Sequence, residues 1–90
     1  MSLCPISFYI VDPFNDKPVP AAKIKVYPGL KCTETLETDE YGKAETSSLY
    51  RIGSFLYVLV TKENYISRWE HISVPENQAL PVTIHIWPLS

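Results

Sequence analysis

Short runs in which apolar and polar residues alternate, each ended by proline, glycine, asparagine or aspartate, commit this chain to β-structure. Ile6, Phe8 and Ile10 alternate with Ser7, Tyr9 and Val11, and Ala22, Ile24, Val26 and Pro28 alternate with Lys23, Lys25 and Tyr27. A period of two places one set on a buried face and the other on an open one. Lys31 to Thr38 is a weaker, threonine-rich strand with Cys32 and Leu36 as its apolar points, and Lys43 to Thr46 forms a short one. Phe55 to Val60 is apolar on both faces, the pattern of a central strand or of one whose outer face is covered. Trp69 to Val74 and Val82 to Trp87 alternate again. No amphipathic helical pattern of useful length interrupts these seven predicted strands, so the expected fold is all-β, an antiparallel sandwich.

The breaks carry their own chemistry. Asp12 to Pro18 holds two prolines, an asparagine and two aspartates and reads as a loop. Thr38-Asp39-Glu40-Tyr41-Gly42 predicts a tight turn in which Gly42 takes a positive φ and sends the chain back as a hairpin. Ser47 to Gly53 reads as irregular with a sharp bend at Gly53, and Lys62-Glu63-Asn64-Tyr65 as a turn in which Asn64 tolerates the left-handed conformation. Pro75 to Pro81 links the last two strands. Ninety residues, 46% of them hydrophobic and 20% charged, make one globular domain spanning 1–90 with a small core.

Charge and cysteine usage narrow the partners. A net charge of −2 with scattered lysines leaves no basic stripe, so nucleic acid is not an expected partner. The longest apolar run, Phe55 to Val60, is far too short to span a bilayer, and Met1 to Pro5 shows no signal-peptide pattern, so no membrane insertion is expected. An extracellular, cell-surface or particle-associated site suits such a module. Cys4 and Cys32 lack metal-site spacing. Two arrangements stay open for them: independent, part-buried thiols, or a disulfide, which needs Cα atoms within about 7 Å.

Four landmark segments carry a resemblance. Val11-Asp12, Lys17-Pro18-Val19-Pro20-Ala21-Ala22-Lys23-Ile24-Lys25-Val26, Thr38 to Ala44, and Val58 to Tyr65 are similar to the carboxypeptidase regulatory-like and CnaB-like modules of the transthyretin-like (prealbumin-like) sandwich. The likeness runs from about Ile6 to Pro88 and implies a seven-stranded antiparallel Greek-key β-sandwich. Asp16, Ala22 and Asn64 stand near positions where those patterns favour glycine. The landmarks are turn chemistry, so they imply a fold and not an activity.

The activities of such sandwiches require residues that stand elsewhere in this chain or are missing from it. The hydroxyisourate hydrolases carry a histidine on the first strand and a Tyr-Arg-Gly-Ser terminus; here the first strand begins Ile6-Ser7-Phe8 and the chain ends Trp87-Pro88-Leu89-Ser90. The isopeptide crosslink of CnaB-like modules joins a lysine on the first strand to an asparagine on the last, and neither strand supplies one. A catalytic role for His71 or His85 needs a Ser or Cys against the imidazole and a carboxylate behind it; Glu70, next to His71 in sequence, points to the opposite strand face, and a third metal ligand is not visible. The expected protein is therefore not an enzyme, with no cofactor and no metal.

What remains is Trp69, His71 and Ser73 on one strand and Thr83, His85 and Trp87 on another, all facing away from the aliphatic side. If the two strands share a sheet, Trp69, His71, His85 and Trp87 form one outer surface suited to binding. Tyr9, Tyr27, Tyr57 and Tyr65 are candidates to extend it. The expected role is a structural or adhesive module that mediates self-association or contact with a protein partner. A carbohydrate- or small-ligand-binding module and an accessory domain of a peptidase or other larger enzyme are the alternatives.

Overall fold

Residues 2–76 and 80–89 are described by a computed structural model. Ten strands follow one another: β1 (Leu3–Cys4), β2 (Ser7–Asp12), β3 (Lys17–Pro18), β4 (Lys23–Tyr27), β5 (Glu34–Glu37), β6 (Lys43–Glu45), β7 (Tyr50–Arg51), β8 (Phe55–Thr61), β9 (Arg68–Ser73) and β10 (Val82–His85). The described residues include no helix. One sheet runs β10-β2-β3, with β6 also pairing β2; a second runs β5-β4-β8-β9; β1 and β7 form a separate two-stranded ladder. The inward residues of both four-stranded sheets belong to one core. Phe8, Ile10 and Ile84 of the first meet Ile24, Val26, Leu56, Val58, Val60 and Ile72 of the second, and Cys4, Ile6 and Tyr50 join them.

Alternation explains that core directly. In β2 the even positions Phe8 and Ile10 are fully buried, and in β4 so are Ile24 and Val26. Burying a side chain of this size removes roughly 1.5–3 kcal/mol of apolar exposure to water. Two buried threonines stitch the loops to that core. Thr38 Oγ1 donates to the Val19 carbonyl at 2.7 Å and accepts from the Ala22 N–H at 2.9 Å. Thr46 Oγ1 accepts from the Ile6 N–H at 2.9 Å and donates to the Ser48 carbonyl at 2.8 Å. Among the described residues no buried side-chain polar atom lacks a partner.

Several expectations change. Seven strands become ten, because β1, β3 and β7 are two-residue ladders within segments read as terminus or loop, too short to show a period. The Lys31 to Thr38 strand contracts to Glu34–Glu37. The sheets are not wholly antiparallel: β10 lies parallel to β2, with Val82 opposite Phe8 and His85 opposite Val11. Alternation is identical for the two directions, so the pattern cannot distinguish them.

The turn after β5 forms, but the hairpin does not. The Asp39 carboxylate accepts from the N–H groups of Tyr41 and Lys43, both at 2.9 Å, and Gly42 takes φ 74°. Instead of pairing with β5, β6 crosses to the other sheet and pairs with β2. Gly42 explains the crossover, since the Ile10 N–H donates to its carbonyl at 2.8 Å and a Cβ here would lie 2.6 Å from the Ile10 carbonyl oxygen. Asp16 and Asn64 have positive φ, as their glycine-like positions imply. At the third such position the strained residue is Ala21 (φ 56°), one place before the expected Ala22. The Pro75 to Pro81 link includes residues 77–79, which lie outside the described residues.

Candidate functional site

The second sheet presents its aromatic residues outward. Tyr27 of β4 stands opposite Tyr57 of β8, Tyr57 opposite His71 of β9, and Leu59 opposite Trp69. Because strand side chains alternate, these residues share the face that Val26, Val58 and Ile72 leave. Cross-strand neighbours on one face lie close enough to touch. The His71 and Tyr57 rings stack with centroids 4.4 Å apart and planes 16° from parallel, and Phe55 lies 5.3 Å from His71 on the diagonal. Tyr27 and Trp69 meet at 5.2 Å.

This patch is open to solvent. Phe55 is 65% exposed, Tyr57 51% and Trp69 58%. Taking about 200 Å² per aromatic side chain, these three alone offer roughly 350 Å² of surface. That is already within the ~300–600 Å² of the largest apolar patch on a typical monomer, which is often functional. Of the two causes expected for the double-sided apolar character of Phe55 to Val60, the structure shows the central strand; the outer face is not covered but open and aromatic.

The four residues expected on one surface are divided. Trp69 and His71 lie on β9 in the second sheet, whereas His85 belongs to β10 in the first, so a single Trp-His sheet face does not form. His71 joins Phe55 and Tyr57; His85 lies beside Trp87, with ring centroids 6.4 Å apart. The indoles meet by another route. Past the end of β10 the chain bridges to the turn before β9: Tyr65 pairs with Pro88, the Ile66 N–H donates to the Trp87 carbonyl at 2.8 Å, and the Leu89 N–H donates to the Asn64 carbonyl at 2.9 Å. Trp69 and Trp87 thereby line one groove of about 270 Å³ with Ile66, Ser67 and Arg68. The Arg68 guanidinium sits 5.5 Å from the Trp87 ring centroid, and its Nε donates to Glu70 at 2.9 Å.

Tyr27 and Tyr57, expected as candidates to extend the patch, do lie on this face, whereas Phe55 and Arg68 are site residues that the sequence reading did not single out. The two-sided apolar run contained the signal for Phe55. A single arginine in a strand carries none.

Two buttressed carboxylates lie elsewhere and serve the loops. Asp12 Oδ1 accepts from the Phe14 N–H at 2.9 Å, and Oδ2 accepts from Asn15 Nδ2 and the Tyr65 hydroxyl, both at 3.1 Å. Burial alone would raise the Asp12 pKa; the bonds from Phe14, Asn15 and Tyr65 outweigh it and hold the carboxyl below the ordinary aspartate range. Glu34 accepts from the Ser47 and Ser48 N–H groups at 2.8 and 3.2 Å and from the Tyr50 hydroxyl at 2.7 Å. Here too burial pushes up and the bonds, led by Tyr50, pull the net value down. Each carboxylate ties a loop to a distant strand, a sufficient physical reason for its position.

The cysteines do not pair. Cys4 is buried, with Sγ 3.6 Å from the Pro75 carbonyl, and Cys32 is exposed in the bend before β5. This corrects the disulfide alternative: core packing holds Cys4 at one end while Cys32 stands out in solvent. Among the described residues no group of three or more His, Cys, Asp and Glu side chains is placed to hold a metal ion.

No protein-family model matches this chain, and no curated protein is significantly similar to it in sequence.

Proposed function

We propose that this protein is a non-enzymatic interaction module of transthyretin-like, Greek-key sandwich architecture, whose outer aromatic sheet face docks a protein partner in the assembly or decoration of a surface, appendage or particle. The fold reading is supported by the turn landmarks at Asp16, Gly42 and Asn64, all at positive φ, and by two sheets sharing one core. The observation that carries the function is the cluster Phe55, Tyr57, Trp69 and His71, exposed on one sheet face with the half-buried Tyr27 against it and Lys25 at its edge. Interface cores have this composition, rich in aromatic residues and poor in charge.

A sugar platform fits the face less well. Stacking on a saccharide uses an open ring face, and His71 has Tyr57 and Phe55 against it, so that part of the sheet offers ring edges. Packing of a protein surface accepts edges and faces alike.

The test is a comparison of baits in extract of the native host: wild type, Tyr57→Glu on the aromatic face, and Thr83→Glu on the opposite sheet. A protein retained by wild type and Thr83→Glu but lost from Tyr57→Glu supports the reading. Retention of the same proteins by all three baits, or retention of none, overturns it.

A further inference from the structure

Phe55, Tyr57 and Trp69 together offer roughly 350 Å², well short of the ~800 Å² per partner of a standard interface, so a partner seated on them extends past their border. Trp69 is that border. Its ring meets Tyr27 on the sheet face and also lines the groove shared with Ile66, Ser67, Arg68 and Trp87. At about 270 Å³ the groove falls short of the ~300–1,000 Å³ of small-molecule sites. It has room for one side chain.

The groove also states which side chain. Arg68 is held in place twice, by its Nε bond to Glu70 and by the Trp87 ring beneath its guanidinium. Glu70 occupies only the Nε edge. Among the described residues the two terminal nitrogens of Arg68 make no hydrogen bond, and the side chain is 40% exposed. A guanidinium held over an aromatic ring and by one Nε bond, with its outer fork open, is the matching half of a bidentate pair with a carboxylate. The walls beside it, Ile66 and Trp69, are apolar and suit methylene groups. The main-chain bonds joining Ile66 to Trp87 and Asn64 to Leu89 keep the walls in register, so little ordering is required on binding.

We infer that this groove is an acceptor site for a glutamate side chain of the protein partner, with the carboxylate on the terminal nitrogens of Arg68 and the methylenes between Trp69 and Ile66. The inference rests on the reading of the adjoining face as the partner surface, but its test needs no partner, so the two fail separately.

The ¹⁵N-labelled protein is titrated with three blocked peptides: acetyl-Ala-Glu-Leu-amide, acetyl-Ala-Gln-Leu-amide, and acetyl-Ala-Gln-Leu with a free C-terminal carboxylate. The glutamate peptide is expected to shift the Arg68 Nε–H and both indole N–H resonances saturably, and the glutamine amide is not. Arg68→Gln and Arg68→Lys, each showing a dispersed wild-type-like spectrum, should lose the saturable shifts, the lysine variant because a point charge cannot replace the fork. Equal shifts with the glutamine amide, binding of the free-terminus peptide alone, an unchanged response in Arg68→Gln, or no shift at all would each overturn the assignment.

Discussion

The His71 imidazole stacks on the Tyr57 phenol across β9 and β8, ring centroids 4.4 Å apart and planes 16° from parallel, on a face whose neighbours are solvent-exposed. Aromatic pairs of this geometry contribute about 0.5–1.5 kcal/mol beyond the area they bury. A double-mutant cycle with Tyr57→Ala and His71→Ala should return a coupling energy in that range by urea denaturation. A coupling near zero would mean that the stack is not formed in solution.

Gly42 is irreplaceable for two additive reasons. Its φ of 74° strains any residue with a Cβ, and that Cβ would lie 2.6 Å from the Ile10 carbonyl oxygen and 2.9 Å from Pro18 Cβ. Left-handed strain of ~1–2 kcal/mol and overpacking of ~1–3 kcal/mol predict that Gly42→Ala loses about 2–5 kcal/mol, a large part of a small domain's stability. Equilibrium unfolding measures it; a loss below ~1 kcal/mol would contradict the close approach.

Ala21 predicts the opposite sign. It holds φ 56° with its N–H donating to the Thr38 carbonyl at 3.0 Å. Glycine removes the left-handed cost of ~1–2 kcal/mol and adds roughly 0.5–1 kcal/mol of unfolded-state entropy. Ala21→Gly should therefore raise the urea midpoint modestly, by about 0.5 kcal/mol in stability, and a lowered midpoint would refute the strain.

Acid should unfold the protein through Asp12 and Glu34. Both carboxyls are depressed in the folded state, burial opposing and the hydrogen bonds prevailing. Their stabilisation is therefore present above the ordinary carboxylate pKa and lost as pH falls through the lower folded values. Glu34→Gln should flatten the stability profile below about pH 4 relative to wild type. At the alkaline end the sign reverses. Burial, then the bond to the carboxylate, raises Tyr65, and burial together with Glu34 raises Tyr50, so their contribution is present below about pH 10 and lost above it. Tyr65→Phe should lessen that alkaline loss, measured by thermal unfolding across pH.

Much of the framework was legible because a buried face imposes its period on the residues. Phe8, Ile10, Ile24 and Val26 could be assigned to the core from alternation alone, and Gly42 and Asn64 to turns from their tolerance of positive φ. Sheet membership was not legible. Whether Trp69 and Trp87 share a sheet depends on how β9 and β10 are paired, and that pairing is set by contacts between segments far apart in the chain. The parallel pairing of β10 with β2 and the crossover of β6 are long-range choices of the same kind. The aromatic face was half-legible: the run from Phe55 to Val60 signalled an unusual outer surface, but Tyr27 and His71 could be placed on it only once the register was known.

The most direct test of the partner surface is the affinity of a purified partner for Trp69→Ala against wild type and Thr83→Ala. An aromatic anchor shared by the face and the groove is worth about 2 kcal/mol or more, so Trp69→Ala should weaken the dissociation constant at least ~30-fold while Thr83→Ala leaves it unchanged. Equal affinity of Trp69→Ala and wild type would contradict the assignment of the aromatic face as the site of docking.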